Sequence, residues 1–383
     1  MSGIPERADV VVVGGGATGT SIAFHLAEAG VDVCLLERDS LSAGSTSRAA
    51  GGIRTQFSDP LNIAIGLRSV EAFGRFAERP GGEIDFHQVG YLFLLDRPED
   101  VELFEQNVAV QNELGVPSRL VDPAEAAELS PLAGLEGVLA ATFCPLDGHA
   151  NPEAVAQGYA AGARANGASV LTGREAIAIE TEDGSVRGVV TDQGAIATGA
   201  VVVAAGVWSP AIARTAGVDL PVEPVFREVV TTAPGAALPD RIPLTVDFTS
   251  GFYFHREGPG LLIGMADRNQ QPGFDAPTDP DWLEHVTEVA ARRAPEFLEM
   301  GIAHGWKGYY EVSPDHNGLV GEVAGVERFL YATGFSGHGF MQAPAIGEIV
   351  RDLYLGREPL VDVTPLAAER FALQAPRPER NVI

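Results

Sequence analysis

Apolar residues follow two rhythms along this chain. Over residues 9–13 they run almost without a break, as in a short strand buried on both faces. Over residues 20–29, Ile22, Ala23, Leu26 and Ala27 recur at helical spacing, and Gly30 stands where a helix C-cap belongs. Residues 31–36 form a second apolar run, closed by Glu37. The opening thus predicts strand, glycine turn, helix, strand. Helical spacing returns over 60–80, 99–114, 153–166, 280–300 and 344–355. Strand patterns fill 84–95, 115–121 and 199–206, much of 222–265, and the region near 305–333. Turn signals sit at 182–184 and 192–194, and no repeat or low-complexity linker interrupts the chain.

At 383 residues the chain exceeds the usual single-core size, so two units are expected. The beginning, middle and end carry the strand–helix alternation of one α/β unit. The strand-rich, Pro- and Gly-broken stretches between them make a second unit, inserted in two pieces.

Composition narrows the function classes. A hydrophobic share of 45% with 20% charged residues is that of an ordinary soluble globular protein. The formal net charge of −26 argues against nucleic acid or an anionic membrane surface as partner. Two cysteines, Cys34 and Cys144, support neither a disulfide framework nor a metal knuckle, and Cys34 reads as core. No targeting segment precedes Asp9 and no run has the length of a membrane span, so a soluble, cytoplasmic protein without bound metal is expected. Lys307 is the only lysine among 26 basic residues, so chemistry that needs a primary amine has one candidate.

Three glycine-rich segments carry the chemistry. Gly14, Gly16 and Gly19 follow the first strand and open the first helix. In that pattern the first glycine permits a tight turn, the second admits a pyrophosphate to the backbone, and the third lets helix pack on strand. Ala17 and Thr18 lie in the same turn. Glu37 ends the next strand 18 residues past Gly19, where an acid accepts bonds from an adenosine ribose, with Arg38 beside it. The pattern points to a dinucleotide and leaves NAD or FAD open.

Residues 42–54 are rich in small and hydroxyl side chains (Gly44, Ser45, Thr46, Ser47, Gly51 and Gly52 among them) without apolar periodicity. They suit backbone lying along a pyrophosphate and a flavin edge; a plain surface loop is the alternative. Near the end, Gly334, Gly337 and Gly339 precede a helix, so that several N–H groups can converge with the helix dipole on one point. A reduced flavin, negative around N1 and C2=O, would be favoured there. His338, within that loop, either touches substrate or flavin or bonds only to backbone.

These segments occur in order with residues 201–209 (Gly206 and Trp208 included), 310–316 and 334–340. Together they resemble the D-amino-acid oxidase superfamily of FAD enzymes, and within it most the β subunits of sarcosine oxidase and of archaeal-type L-proline dehydrogenase. Residues 90–95 and the pair Asp147 and Gly148 match that branch too. The resemblance implies an FAD-binding Rossmann-like (glutathione-reductase-type) domain with an interleaved antiparallel-sheet substrate domain. The first would comprise 1–85, 145–220 and 305–383, and the second 86–144 and 221–304. Ala176 would meet adenine through its backbone, and Phe340 and Met341 would stand by the flavin.

Arg54 falls at the family's substrate-carboxylate position, where a planar guanidinium can give two parallel bonds; pairing with a structural acid is the other reading. Tyr253 falls near a second such contact, or is a half-buried strand tyrosine. Three departures qualify the likeness. Leu262 and Met341 stand where relatives carry lysines, and Gly308 stands where some anchor FAD through cysteine. Non-covalent FAD is therefore expected, and a fast reaction with oxygen is not. Lys307, beside the anchor position, either reaches the flavin or points to solvent.

The implied reaction removes a hydride from the carbon next to nitrogen in a small amino acid, delivers it to flavin N5 and leaves an imine. Secondary amines such as sarcosine or proline are favoured. A flavin dehydrogenase of 2-hydroxy acids or glycerol 3-phosphate and a non-catalytic FAD-binding assembly factor are the alternatives. The electron acceptor stays open, as does the choice between a heteromer with partner subunits and a free-standing enzyme.

Overall fold

The computed structural model describes residues 3–234, 238–373 and 376–382. The opening valine run is the strand Val10–Val13, with all four residues buried. It lies within a six-stranded sheet ordered Leu319–Glu322, Phe329–Thr333, Val201–Val203, Val10–Val13, Val33–Glu37, Ser169–Thr172. Pairing is parallel except at the edge strand Leu319–Glu322. Such a sheet needs cover on both faces, and side chains divide between them by parity. Val10, Val12, Val33 and Leu35 pack with Phe24, Tyr159 and Ile346 of a helical layer. Val11, Val13, Cys34 and Leu36 pack with Ile179, Val189 and Ile196 of a three-stranded antiparallel sheet. Cys34 is core, as its pattern predicts, and burial pushes its thiol up to about 12.

The first helix, Ala17–Glu28, begins sooner than its apolar spacing suggests, directly after the N-cap Gly16. Gly19 is required by close approach, because a Cβ there would lie 1.9 Å from the Gly14 carbonyl oxygen. Helix and strand meet at that point without side chains between them.

An eight-stranded sheet forms the second unit, in the order Ile302–Val312, Glu223–Thr232, Gly260–Met265, Phe252–Glu257, Leu244–Asp247, Tyr91–Leu95, Ala140–Cys144, Arg119–Val121. All pairs are antiparallel except Leu244–Asp247 with Tyr91–Leu95. Phe252, Phe254, Leu261 and Ile263 face outward onto Trp282, Val286 and Ala290 of the helix Trp282–Arg293. The opposite parity, Tyr253 and Gly264 included, turns toward the six-stranded sheet. The architecture is the expected Rossmann-like unit with an interleaved antiparallel sheet.

Several boundaries differ from the sequence reading. The strand expected over 84–95 is only Tyr91–Leu95, because Gly90 turns the chain with φ +93°. The helix expected to reach 80 spans Pro60–Gly74, and a short helix, Pro123–Leu129, was not anticipated. Its signal was present, for Asp122 caps it by accepting from the Glu125 N–H. The closing helix is Gly339–Leu355 and carries Pro344 inside it rather than at its start. Ile302–Val312 pairs along Glu223–Thr232 in the large sheet, so the chain re-enters the first sheet at Leu319 rather than near 305. Among the described residues no helix is long and apolar enough to cross a membrane.

Candidate active site

A cavity of about 870 Å³ runs between the two sheets, from Gly14 at the first turn to Tyr253 on the large sheet. At the first end, Glu37 Oε2 accepts from the Gly15 N–H at 2.8 Å and Oε1 from the Asp39 N–H at 2.8 Å. Each oxygen keeps a lone pair for a ribose hydroxyl. Thr46 Oγ1 accepts from the Ala17 N–H at 3.1 Å, which ties residues 42–54 to the helix start. Arg38 lies over the Trp208 ring, 4.8 Å from its centre, and Ala176 and Gly206 line the same cavity.

Along its middle run Gly16, Thr18, Gly44, Ser45, Gly51 and Gly52. Ser45 Oγ donates to the Tyr309 carbonyl at 2.7 Å, joining the loop to the large sheet. Gly337, His338, Gly339, Phe340 and Met341 line the cavity at the start of the closing helix. Three expected residues stand behind the wall. Gly19 backs the turn, the Ser47 N–H donates to the Ser42 carbonyl, and the Gly334 N–H donates to Glu311 Oε2.

The residues present fit FAD. Two helix N-termini, at Gly16 and His338, open here with no cap from the N-cap residue itself, and Thr46 takes only the Ala17 N–H of the first. Arg38, Arg48 and Arg174 also line the cavity, and Arg174 Nε is buried without a partner among the described residues. Uncapped N–H groups and cations suit an anionic pyrophosphate. Gly308 lies against the Arg48 side chain, 2.9 Å from where its Cβ would stand. Lys307 lines the cavity, but its amine pairs with Glu228 at 3.0 Å and with Thr278 at 2.6 Å. Leu262 is buried two residues along from Gly264 and does not reach the cavity lining.

At the other end stand three tyrosines, Tyr91, Tyr253 and Tyr310. Burial raises the pKa of each, so all three remain neutral hydroxyls. Tyr253 packs over bare backbone at Gly264, where a Cβ would come within 2.3 Å of its hydroxyl. Tyr310 packs in the same way over Gly337.

Arg54 reaches the cavity from the first unit and is 1% exposed. Its Nη1 donates to the Gln56 carbonyl, and its Nη2 donates to the Asn381 carbonyl and to His338 Nε2. No carboxylate is among these partners. Because a guanidinium only donates, His338 Nε2 must accept, so its proton sits on Nδ1. Burial and the Arg54 charge hold His338 well below the usual histidine range. It is a neutral ring with its Nε2 lone pair in use.

The residues that sequence reading missed come from the strand faces and the C-terminal segment. Arg227, on Glu223–Thr232, lines the cavity where Val225 and Val229 share its parity. A charged residue among valines on an inward face was the available signal. Glu311 is half-buried and accepts from Thr333 Oγ1 and the Gly334 N–H, with its pKa raised by desolvation. Nothing in the sequence pattern marked Glu379 and Asn381, which are both buried. Glu379 accepts from Ser58, Asp59 and Asn62.

Asp147 explains why it accompanies Gly148. Its Oδ1 accepts from the Thr55 N–H at 2.8 Å and Thr55 Oγ1 at 2.7 Å, and Oδ2 from Gln56 Nε2 at 3.1 Å. It therefore clamps the residues that follow Arg54, while Gly148–His149 pairs with Gly52–Ile53. Burial, opposed by the Thr55 and Gln56 hydrogen bonds, raises Asp147 to about 6. Its folded pKa thus exceeds its unfolded one. Folding takes up a proton between the ordinary carboxyl value and about 6, and stability is lost as pH rises through that window. Asp147→Asn should remove roughly 3 kcal/mol of this pH dependence. Chemical denaturation of both proteins across the window checks it; parallel stability–pH curves would contradict it.

A family model described as DAO, FAD dependent oxidoreductase, matches residues 9–353. Mitochondrial dimethylglycine dehydrogenase of Mus musculus is 31% identical, over 96% of this chain but 44% of the mouse protein. FAD-dependent oxidoreductase domain-containing protein 1 of Xenopus laevis is 34% identical, over 99% of this chain and 85% of its own. The crystal structure of L-proline dehydrogenase from P. horikoshii superposes with a TM-score of 0.92 at 36% identity, covering 98% of this chain and 100% of that one. The chain thus spans less than half the length of the mouse dehydrogenase.

Proposed function

Because the chain belongs to the DAO family of FAD-dependent oxidoreductases, we propose that it oxidises a small amino acid at the carbon next to nitrogen, preferring a secondary or N-methylated amine. The observation that carries this reading is the joining, in one cavity, of a dinucleotide turn to a tyrosine-walled compartment that holds two arginines, Arg54 and Arg227. Sarcosine, N,N-dimethylglycine and proline are the substrates to try first, given the dimethylglycine and L-proline dehydrogenases among the relatives. In this reading 1–85, 145–220 and the chain after about residue 312 hold FAD, and the large sheet roofs it.

Bound there, without a covalent anchor, the flavin supplies the hydride acceptor. The chain's own residues do the rest. A cationic end takes the substrate carboxylate, and Tyr253 donates to it. The aromatic walls exclude water and restrict the substrate to one orientation, which supplies much of the rate. The substrate nitrogen must be neutral so that its lone pair can form the C=N bond of an iminium as hydride leaves, and nearby guanidinium charge lowers the pKa of an amine. His338 takes no proton at Nε2, because that lone pair is held by Arg54.

Steady-state reduction of an artificial dye by the purified protein tests the reaction class. Sarcosine, N,N-dimethylglycine or L-proline should support turnover, and lactate and glycerol 3-phosphate should not. Turnover with the hydroxy compounds alone would overturn the amino-acid reading, and a flavin-loaded protein inert to all five would point to a binding role.

A further inference from the structure

Two arginines reach the tyrosine-walled compartment, and they differ in what they have left to give. A guanidinium grips a carboxylate with two parallel bonds along one edge, either Nε with Nη2 or Nη1 with Nη2. Both edges use an Nη2 hydrogen. In Arg54, Nη2 has spent both of its hydrogens, on the Asn381 carbonyl and on His338 Nε2. Neither edge of Arg54 is open.

Arg227 presents the opposite case. It sits on the strand Glu223–Thr232, opposite Gly308 of Ile302–Val312, and lines the cavity. Its Nη1 donates to the Phe226 carbonyl at 3.0 Å. Its Nε is buried without a hydrogen-bond partner among the described residues, and its Nη2 forms no hydrogen bond to them. The Nε–Nη2 edge is therefore unpartnered. Leaving a buried charged donor unsatisfied is costly, so an acceptor belongs there when the protein works. The guanidinium lies over the Tyr310 ring, 5.1 Å from its centre, and this stacking fixes the plane in which the edge points.

Neutral donors flank the same place. The Tyr253 ring crosses Gly264, and Gly264 pairs in turn with Val229. The Tyr253 hydroxyl is thus carried toward the strand that bears Arg227. Tyr310 lies under Arg227 itself. A fork with an unpartnered edge, stacked on one tyrosine ring and near a second, matches a carboxylate, which offers only acceptors.

We propose that Arg227 clamps the substrate carboxylate, with Tyr253 and Tyr310 as flanking donors, while Arg54 positions His338 and the C-terminal segment. The inference rests on the amino-acid reading above and names the group that selects acids within it.

The test uses flavin-loaded protein and a ligand that cannot react. Pyrrole-2-carboxylate is aromatic and has no saturated C–H next to nitrogen to yield as hydride, and pyrrole-2-carboxamide differs from it by the charge. Binding of each is followed by calorimetry and by the shift of the flavin absorption band. The wild type should prefer the carboxylate by on the order of 100-fold, as expected for a charge-assisted two-bond clamp. Arg227→Gln should bring the two affinities within a few-fold of each other. Arg227→Lys keeps the charge but not the fork, and should retain about a tenth of the preference. Arg54→Lys should weaken both ligands alike and leave their ratio.

An Arg227→Gln protein that keeps both flavin and preference would overturn the clamp and leave the reaction class standing. If that variant fails to hold flavin, the Arg227→Lys ratio decides in the same way. A wild type without any preference for the carboxylate would instead undermine the amino-acid reading itself.

Discussion

Gly19→Val is expected to give a protein without flavin. A Cβ at this position would sit 1.9 Å from the Gly14 carbonyl oxygen, so the clash is with backbone and no rotamer relieves it. The first helix would have to move off the strand Val10–Val13, taking the N-terminus at Gly16 out of the cavity wall. Overpacking commonly costs about 1–3 kcal/mol, and a backbone clash in a buried turn belongs at the upper end. The ratio of flavin to protein absorbance after purification, and thermal unfolding with and without added FAD, read the result. Stoichiometric flavin with an unchanged midpoint would show that the turn does not hold the dinucleotide.

Arg54→Met should be the most destabilising exchange at the other end of the cavity. Methionine restores some packing against Phe57 and Phe93, over whose rings the guanidinium lies at 4.3 Å and 5.7 Å. It leaves the Asn381 carbonyl and His338 Nε2 without their donor, and takes from the Gln56 carbonyl one of its two donors. Leaving a buried acceptor without its donor costs about 1–3 kcal/mol, and two acceptors lose theirs here. Asn381 would keep its bonds to Asn107 and the Gln56 carbonyl but lose its charged anchor. Residues 376–382 should then become open to limited proteolysis, which Arg227→Gln should not cause. A protease-resistant Arg54→Met protein of wild-type stability would remove Arg54 from its positioning role.

The parts of this molecule that were legible in the sequence are those set by local rules. A valine run that must be buried on both faces, a turn that only glycine permits and an acid at the next strand end each dictate their neighbours. They named residues such as Gly14, Gly16, Glu37 and Arg38, which the structure brings together at one end of the cavity. The large sheet was legible only as strand-rich sequence, because pairing such as that of Ile302–Val312 with Glu223–Thr232 is decided by tertiary contacts. The position of Arg54 was legible, but not the carbonyl of Asn381 that occupies it, which lies 327 residues along the chain. Arg227 was readable in principle as a cation among inward valines, yet strand parity alone does not say which face meets a cavity. Pro344 misled for a simpler reason: proline favours the first turn of a helix, and here the helix had already begun at Gly339.

The central claim is that this cavity brings an amino acid and FAD together for oxidation at the carbon next to nitrogen. Anaerobic titration of the purified flavoprotein tests it most directly, with sarcosine, N,N-dimethylglycine and L-proline added in turn and the visible flavin band recorded. The account predicts that at least one of them bleaches the band fully and that lactate and glycerol 3-phosphate leave it unchanged. Bleaching by the hydroxy compounds alone, or a flavin band that none of these amines can reduce, would contradict it.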